Sequence, residues 1–187
     1  MNRLSRAASL LSLLMIATSV APAAAAQRAK REHLTPQEIE LVRDAQELDV
    51  RAGVFIRAVE RRLRIIFNQS APDTKQEKQI AEVLGALPQG SRTELLYDIA
   101  HILDEAIENV DDTAQRNPKS PLLPKAVRKL SEASARFLAQ LTPLRASIAD
   151  KAEREQLEQA IDNAQQIVEA AKKLPAEETK DKSGKKG

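Results

Sequence analysis

Apolar residues recur every three or four positions along most of the chain, with polar residues between them. This spacing places the apolar side chains on one face of an α-helix and is typical of helices packed around a common core. The pattern continues from Thr35 to about Phe67, and Thr35 with Glu38 forms a capping box that marks a helix start. The sequence therefore predicts one long helix over this stretch.

The same spacing predicts a short second helix and three further long helices. Their start signals are Thr74 with Glu77, Ser91 with Glu94, Ser120 with Pro121, and Asp150 with Glu153. The short helix is expected to end at residues 88–90 and the last helix at Pro175. Pro143 lies inside the fourth segment and cannot donate a backbone hydrogen bond, so a kink or break is expected near residues 140–142.

Four long amphipathic helices and one short helix predict an all-α fold, an antiparallel helical bundle over residues 35–174. The composition agrees, because aromatic residues make up 2% of the chain and unbranched helix-forming residues dominate it. Residues 27–34 are predicted to be a disordered lead-in. Residues 175–187 are rich in Lys, Glu and Gly, and they are predicted to be a disordered charged tail.

The sign of the charge alternates between the predicted long helices. Residues 51–69 and 120–149 are mainly basic, whereas residues 91–112 and 150–171 are mainly acidic. Oppositely charged neighbours would select the pairing among otherwise similar aliphatic helices. We therefore expect the acidic helices to lie beside the basic ones.

The first 26 residues have the organisation of a cleavable signal peptide. Two arginines precede an apolar run over residues 7–20, and small residues follow, with the simplest cleavage site after Ala26. An uncleaved membrane anchor is the alternative, but the run is short and contains Ser and Thr. The protein is thus predicted to be exported to the periplasm or the extracellular space, with no transmembrane segment after signal removal.

Removal of this leader would make the mature chain formally neutral. The full chain has 29 basic and 27 acidic residues, and Arg3 and Arg6 lie in the leader, so 29 − 2 leaves 27 of each sign. A neutral chain with few aromatic residues lacks the basic surface and stacking rings that nucleic-acid binding requires, so no nucleic-acid partner is expected. The absence of Cys excludes disulfides and an N-terminal lipid-modified cysteine.

One histidine and several acids share the polar face of the predicted acidic helix. His101 and Glu105 are four residues apart, a spacing at which two helical side chains can bind one divalent metal. The alternative is a solvated acidic face whose histidine pairs with its neighbours. A di-metal site in the core would need two inward Glu-x-x-His motifs, whereas this chain has 2 His and His101 is predicted to point outward.

A second candidate site is predicted on the first helix, where Asp44, Arg51 and Arg62 border the core side by helical angle. An arginine-lined groove there could bind an anionic ligand or the carboxylate of a partner. The alternative is that these residues form interhelical salt bridges while the arginine stems cover apolar surface.

The sequence contains no Cys nucleophile, no Gly-x-Ser-x-Gly elbow, no phosphate-binding Gly-rich loop and no His-Glu-x-x-His motif. The chain is therefore predicted not to be an enzyme and to use no cofactor. The leading hypothesis is an exported protein that acts by contact with a protein or another envelope component. Two alternatives stay open: a periplasmic chaperone-like or stress-sensing protein, which needs an exposed apolar concavity, and a metal-binding helical bundle.

Three stretches resemble uncharacterised exported bacterial proteins that are helical throughout: residues 95–100 (LLYDIA), 120–126 (SPLLPKA) and 159–164 (QAIDNA). This resemblance covers most of the mature chain and implies a shared fold, without an activity or a binding residue. A weaker likeness is to periplasmic chaperones and stress sensors with repeated Leu-Thr-x-x-Gln motifs. Residues 34–38 (LTPQE) and 141–145 (LTPLR) match the Leu-Thr start of that motif and lack its final Gln.

Overall fold

The structure is a computed structural model, and it describes residues 31–69, 79 and 82–175. No strand is found among these residues. The helices are α1 (Pro36–Asp44), α2 (Leu48–Ile66), α3 (Arg92–Arg116), α4 (Leu122–Leu141) and α5 (Lys151–Lys172), with a 3₁₀ helix at Thr142–Ala146. The prediction of an all-α fold with four long helices is confirmed, and the 3₁₀ helix is the break expected around Pro143.

Several predicted features lie outside the described residues. These are the leader at 1–26, the first part of the lead-in, the capping box at Thr74 and the tail beyond Pro175. Gln79 and residues 82–84 are helical, and the helical conformation of residues 82–84 ends before Gly85 instead of at Pro88. Gly85 has a φ of 68°, the left-handed conformation that commonly ends helices and that favours glycine.

A reversal of the chain at residues 45–47 divides the predicted first helix into α1 and α2, so the prediction of one long helix is wrong. In a continuous helix Glu38 and Arg61, 23 residues apart, would be separated by about 35 Å. Glu38 Oε1 instead accepts a hydrogen bond from Arg61 Nη1 over 2.7 Å, because α1 folds back antiparallel to α2. Arg51 stabilises the reversal by donating from Nε and Nη2 to the backbone oxygen of Ala45, over 3.1 and 2.9 Å.

The folded part of the chain begins before Thr35. One compact unit begins at Glu32 and contains all the described helices. Leu34 is buried in its core, and the backbone oxygen of His33 accepts a 2.6 Å hydrogen bond from Arg62 Nη2. The end of the predicted disordered lead-in, residues 32–34, is therefore part of the fold.

The four long helices run alternately up and down the bundle, so each is antiparallel to the next along the chain. Both α2 and α5 lie against α3 and α4, which places α3 and α4 across one diagonal of the bundle. Arg92 at the start of α3 pairs with Glu153 at the start of α5. Further along, Asn163 of α5 donates to the backbone oxygen of Ala100 on α3, so these two neighbours are parallel. Helices α2 and α4 are parallel as well.

The charge pattern selects the helix neighbours only in part. The basic α2 lies beside the acidic α3, and the basic α4 lies beside the acidic α5, as predicted. The two acidic helices are also neighbours of each other, and so are the two basic ones, which the charge pattern did not predict. Ala100, Ala160 and Ile161 of the acidic helices are fully buried, whereas acids such as Asp104 and Asp162 are exposed. Apolar burial therefore decides this packing, while most acids of these two helices, Asp98 excepted, are at least partly exposed.

The capping boxes at Thr35 and Ser91 and the cap at Asp150 form as predicted. Asp150→Ala is expected to lower the free energy of unfolding by about 1 kcal/mol, because the backbone N–H of Glu153 loses its acceptor. Urea denaturation measures this loss, and Lys151→Ala, at a side chain 92% exposed, is the control. An Asp150→Ala midpoint equal to that of the control would contradict the assignment of the cap.

Candidate functional site

An open groove lies between α1, one face of α2 and residues 82–84. Its volume is about 440 Å³. Its aliphatic lining consists of Leu41, Val50, Val54, Val83 and Leu84. Val50 and Val83 are 49% and 60% exposed, although most large apolar side chains of the described fold pack together in the core. We call this feature the apolar groove.

Two cations lie beside the aliphatic lining of the apolar groove. Arg57 is exposed on the same face of α2 as Val54. Lys129 reaches over from α4, and its Nζ donates to the backbone oxygen of Asp49 over 2.9 Å. Gly53 makes room for this lysine, because a Cβ at position 53 would lie 2.8 Å from Lys129 Nζ. The groove thus combines an aliphatic lining with positive charge.

A buried ion cluster joins α1 to α2. Glu38 is fully buried, and its oxygens accept hydrogen bonds of 2.7–2.9 Å from Arg61, Arg62 and the backbone N–H of Thr35. Burial raises the pKa of Glu38, but the hydrogen bonds and positive charge of the two arginines, with the Thr35 amide, outweigh this and hold the pKa below 4.5. The buried Asp98 of α3 lies 3.5 Å from Arg62 Nε. Two cations and two carboxylates therefore lie together without net charge.

The structure does not bring Asp44, Arg51 and Arg62 together as the predicted anion groove requires. Arg62 is 1% exposed, and its hydrogen bonds go to Glu38 and to backbone oxygens. Arg51 lies about 16 Å away along α2. There it donates from Nη1 to Asn109 Oδ1 of α3 over 2.9 Å. Asp44 is exposed at the end of α1. Arg62 forms the salt bridges of the alternative considered above, whereas the hydrogen bonds of Arg51 go to neutral acceptors, a backbone oxygen and Asn109 Oδ1.

The two histidines of the chain meet beside α3. His33 Nε2 and Glu105 Oε2 are 2.8 Å apart, and the ring centroids of His33 and His101 are 5.8 Å apart. His101 Nδ1 lies 2.9 Å from the backbone oxygen of Tyr97, and the two rings stack with centroids 3.8 Å apart. The sequence predicted that His101 points outward. In the structure both His101 and Glu105 are half-buried, with His33 beside them.

These side chains do not converge on one point. Across residues 31–69, 79 and 82–175, no group of three or more His, Cys, Asp or Glu side chains is placed to hold a metal ion. The predicted metal pair of His101 and Glu105 therefore stays a prediction. Sequence reasoning missed His33 as their neighbour, because it assigned His33 to the disordered lead-in.

No helix in the described part of the chain is long and apolar enough to cross a membrane. Comparisons with protein families, with curated proteins and with solved structures found no match to this chain. The resemblances to exported helical proteins and to Leu-Thr-x-x-Gln chaperones therefore stay predictions.

Proposed function

We propose that this protein is an exported, non-enzymatic binding protein that holds a short apolar segment of another polypeptide in the apolar groove. The observation that supports the proposal is the groove's lining, in which aliphatic side chains from three parts of the chain meet and two of them, Val50 and Val83, are about half exposed. A partner that covers these side chains gains about 25 cal/mol per Å² of apolar surface removed from water.

Size and charge together favour a polypeptide segment as the occupant. A volume of about 440 Å³ accommodates a few aliphatic side chains. Arg57 and Lys129 place positive charge next to the aliphatic lining. An apolar segment with a neighbouring Asp or Glu is therefore complementary to the groove in both respects.

A chaperone-like protein that holds whole unfolded chains would need a more extended apolar concavity. The large apolar side chains that are exposed among the described residues are Val50, Val83 and Leu87. Most other apolar side chains of the long helices pack against one another in a single core. Recognition of a short segment fits this limited surface better than the holding of unfolded chains does.

Fluorescence anisotropy tests the proposal with a labelled decapeptide in which Leu and Val alternate with Ser and two Glu follow. The chain from Gln27 to Gly187, which contains the whole compact unit, is expected to bind this peptide. Val50→Lys should weaken binding about tenfold or more, because it places a charge within the aliphatic lining. Arg57→Glu should weaken binding about fivefold and favour a version of the peptide that ends in Lys.

Leu87→Lys is the matched control for Val50→Lys. Leu87 is 51% exposed, similar to the 49% of Val50, yet it does not line the groove. The control should bind the peptide as the parent chain does. An equal loss in both variants would indicate non-specific apolar adhesion and contradict the proposal. Binding of the small amphiphile dodecanoate without binding of the peptide would contradict it too.

A further inference from the structure

We infer that two copies of this chain form a domain-swapped dimer, in which residues 32–44 of each copy pack against the other copy, independently of the proposed function. We call residues 32–44 the arm and residues 45–47 the hinge. At the hinge the chain reverses direction, although its sequence favours a helix that continues from α1 into α2. A second copy that accepts the arm allows this continuous helix to form.

The hinge lacks the local signals that end one helix and begin the next. Its sequence is Ala-Gln-Glu, three residue types that favour helices, without Gly or Pro. Ala45 ends α1 in an extended conformation, with φ −71° and ψ 91°, instead of the left-handed glycine that commonly ends helices. Glu47 precedes α2 without a side-chain cap, whereas Thr35 and Ser91 cap the starts of α1 and α3. The reversal is therefore held by tertiary contacts.

The contacts of the arm can form equally well between two copies. In the described part of the chain, α1 packs against α2 and against no other helix. Glu38 of the arm accepts hydrogen bonds from Arg61 and Arg62 of α2, and His33 contacts Glu105 of α3. None of these contacts involves the hinge. The arm of a second copy can therefore replace the chain's own arm and bury the same surface.

The two forms differ in the hydrogen bonds at the hinge. In the dimer, backbone carbonyls at the end of α1 pair with N–H groups at the start of α2, along a helix of about 45 Å from Pro36 to Ile66. The monomer instead has the hydrogen bonds from Arg51 Nε and Nη2 to the backbone oxygen of Ala45. Association also costs translational and rotational entropy, so the dimer is favoured at high protein concentration.

The swap would make the apolar groove a site shared between two copies. Leu41 of the arm lines this groove together with Val54 of α2 and Val83. In the dimer each groove contains Leu41 from one copy and the two valines from the other. The dimer therefore has two complete grooves with the same lining as the monomer.

Size-exclusion chromatography with light scattering measures the mass of the chain from Gln27 to Gly187 after refolding at millimolar concentration. We expect a species of twice the monomer mass. Gln46→Pro should lower the dimerisation constant about 100-fold or more, because proline breaks a continuous helix but is tolerated after an extended residue such as Ala45. Gln46→Ala, the control, should dimerise as the parent does. Arg51→Met should raise the constant about fivefold, because the reversal loses two hydrogen bonds.

Spin labels distinguish the swapped dimer from a dimer of closed monomers. The chain has no Cys, so Glu40→Cys and Glu60→Cys give two defined labels in one copy, diluted with unlabelled chains. A continuous helix separates positions 40 and 60 by about 30 Å. In the monomer these positions lie across two packed helices, about 10 Å apart in backbone distance. A dimer whose label distance equals that of the monomer would overturn the inference, and so would the absence of any dimer at millimolar concentration.

Discussion

Glu38→Gln is expected to lower the free energy of unfolding by about 3–5 kcal/mol. Glu38 is fully buried and joins α1 to α2 through Arg61 and Arg62. Glutamine keeps the shape of the side chain but removes its negative charge. Two buried guanidinium groups would then lose their shared carboxylate, and a buried charge without compensation is strongly destabilising.

Glu40→Gln is the matched control for this substitution, on the same helix. Glu40 pairs with Arg43 over 2.8 Å, but these side chains are 59% and 67% exposed. An exposed pair contributes at most about 1 kcal/mol. Urea denaturation followed by circular dichroism measures the free energy of unfolding of both variants and of the parent. If Glu38→Gln and Glu40→Gln lowered the free energy of unfolding by similar amounts, this would contradict the conclusion that Glu38 stabilises the packing of α1 against α2.

The carboxylate of Glu38 also makes the free energy of unfolding depend on pH. Because the pKa of Glu38 is lowered in the folded protein, the folded state stays charged to lower pH than the unfolded chain does. This contribution is fully present above the unfolded value of 4.5, and it is lost as the pH falls through the folded pKa. The loss of stability below pH 4.5 should therefore be shallower in Glu38→Gln than in the parent.

Phe137→Ala is also expected to lower the free energy of unfolding by about 3–5 kcal/mol. Phe137 is 1% exposed on α4 and belongs to the core that the long helices share. Loss of the ring removes buried apolar surface and leaves a cavity that the neighbours fill only in part. Phe67→Ala, at the half-buried end of α2, is the control and should lower the free energy of unfolding much less.

The midpoint and the m-value of urea denaturation check this second prediction. A lower midpoint with an unchanged m-value would show a loss of stability without a change in the surface exposed on unfolding. Equal losses for Phe137→Ala and Phe67→Ala would contradict the placement of Phe137 in the centre of the core.

Helical periodicity predicted the long helices because each residue's position on a helix decides whether it meets the core. Pro143 similarly predicted the break between α4 and α5. The reversal at residues 45–47 was not predictable in this way, because the apolar spacing continues across it and neither Pro nor Gly marks the turn. The buried pairing of Glu38 with Arg61 requires that reversal, and a pairing between distant residues leaves no local pattern.

The candidate sites were predictable only where one helix contains them. His101 and Glu105 lie one turn apart on α3, whereas His33 joins them from a segment without helical pattern. One feature of the sequence indicates the apolar groove. Val50 and Val54 lie one helical turn apart, on a face of α2 beside the main row of apolar residues. Such a second row indicates another contact, but the elements that surround it are set by the tertiary fold.

Methyl NMR of the chain from Gln27 to Gly187, labelled at Leu and Val, tests most directly whether the apolar groove binds a polypeptide. The acidic Leu-Val peptide is expected to shift the methyl resonances of Leu41, Val50, Val54, Val83 and Leu84. The methyl resonances of the exposed Leu87 and the buried Leu157 should stay in place. Shifts confined to other surfaces, or no shifts at saturating peptide, would contradict the proposed function.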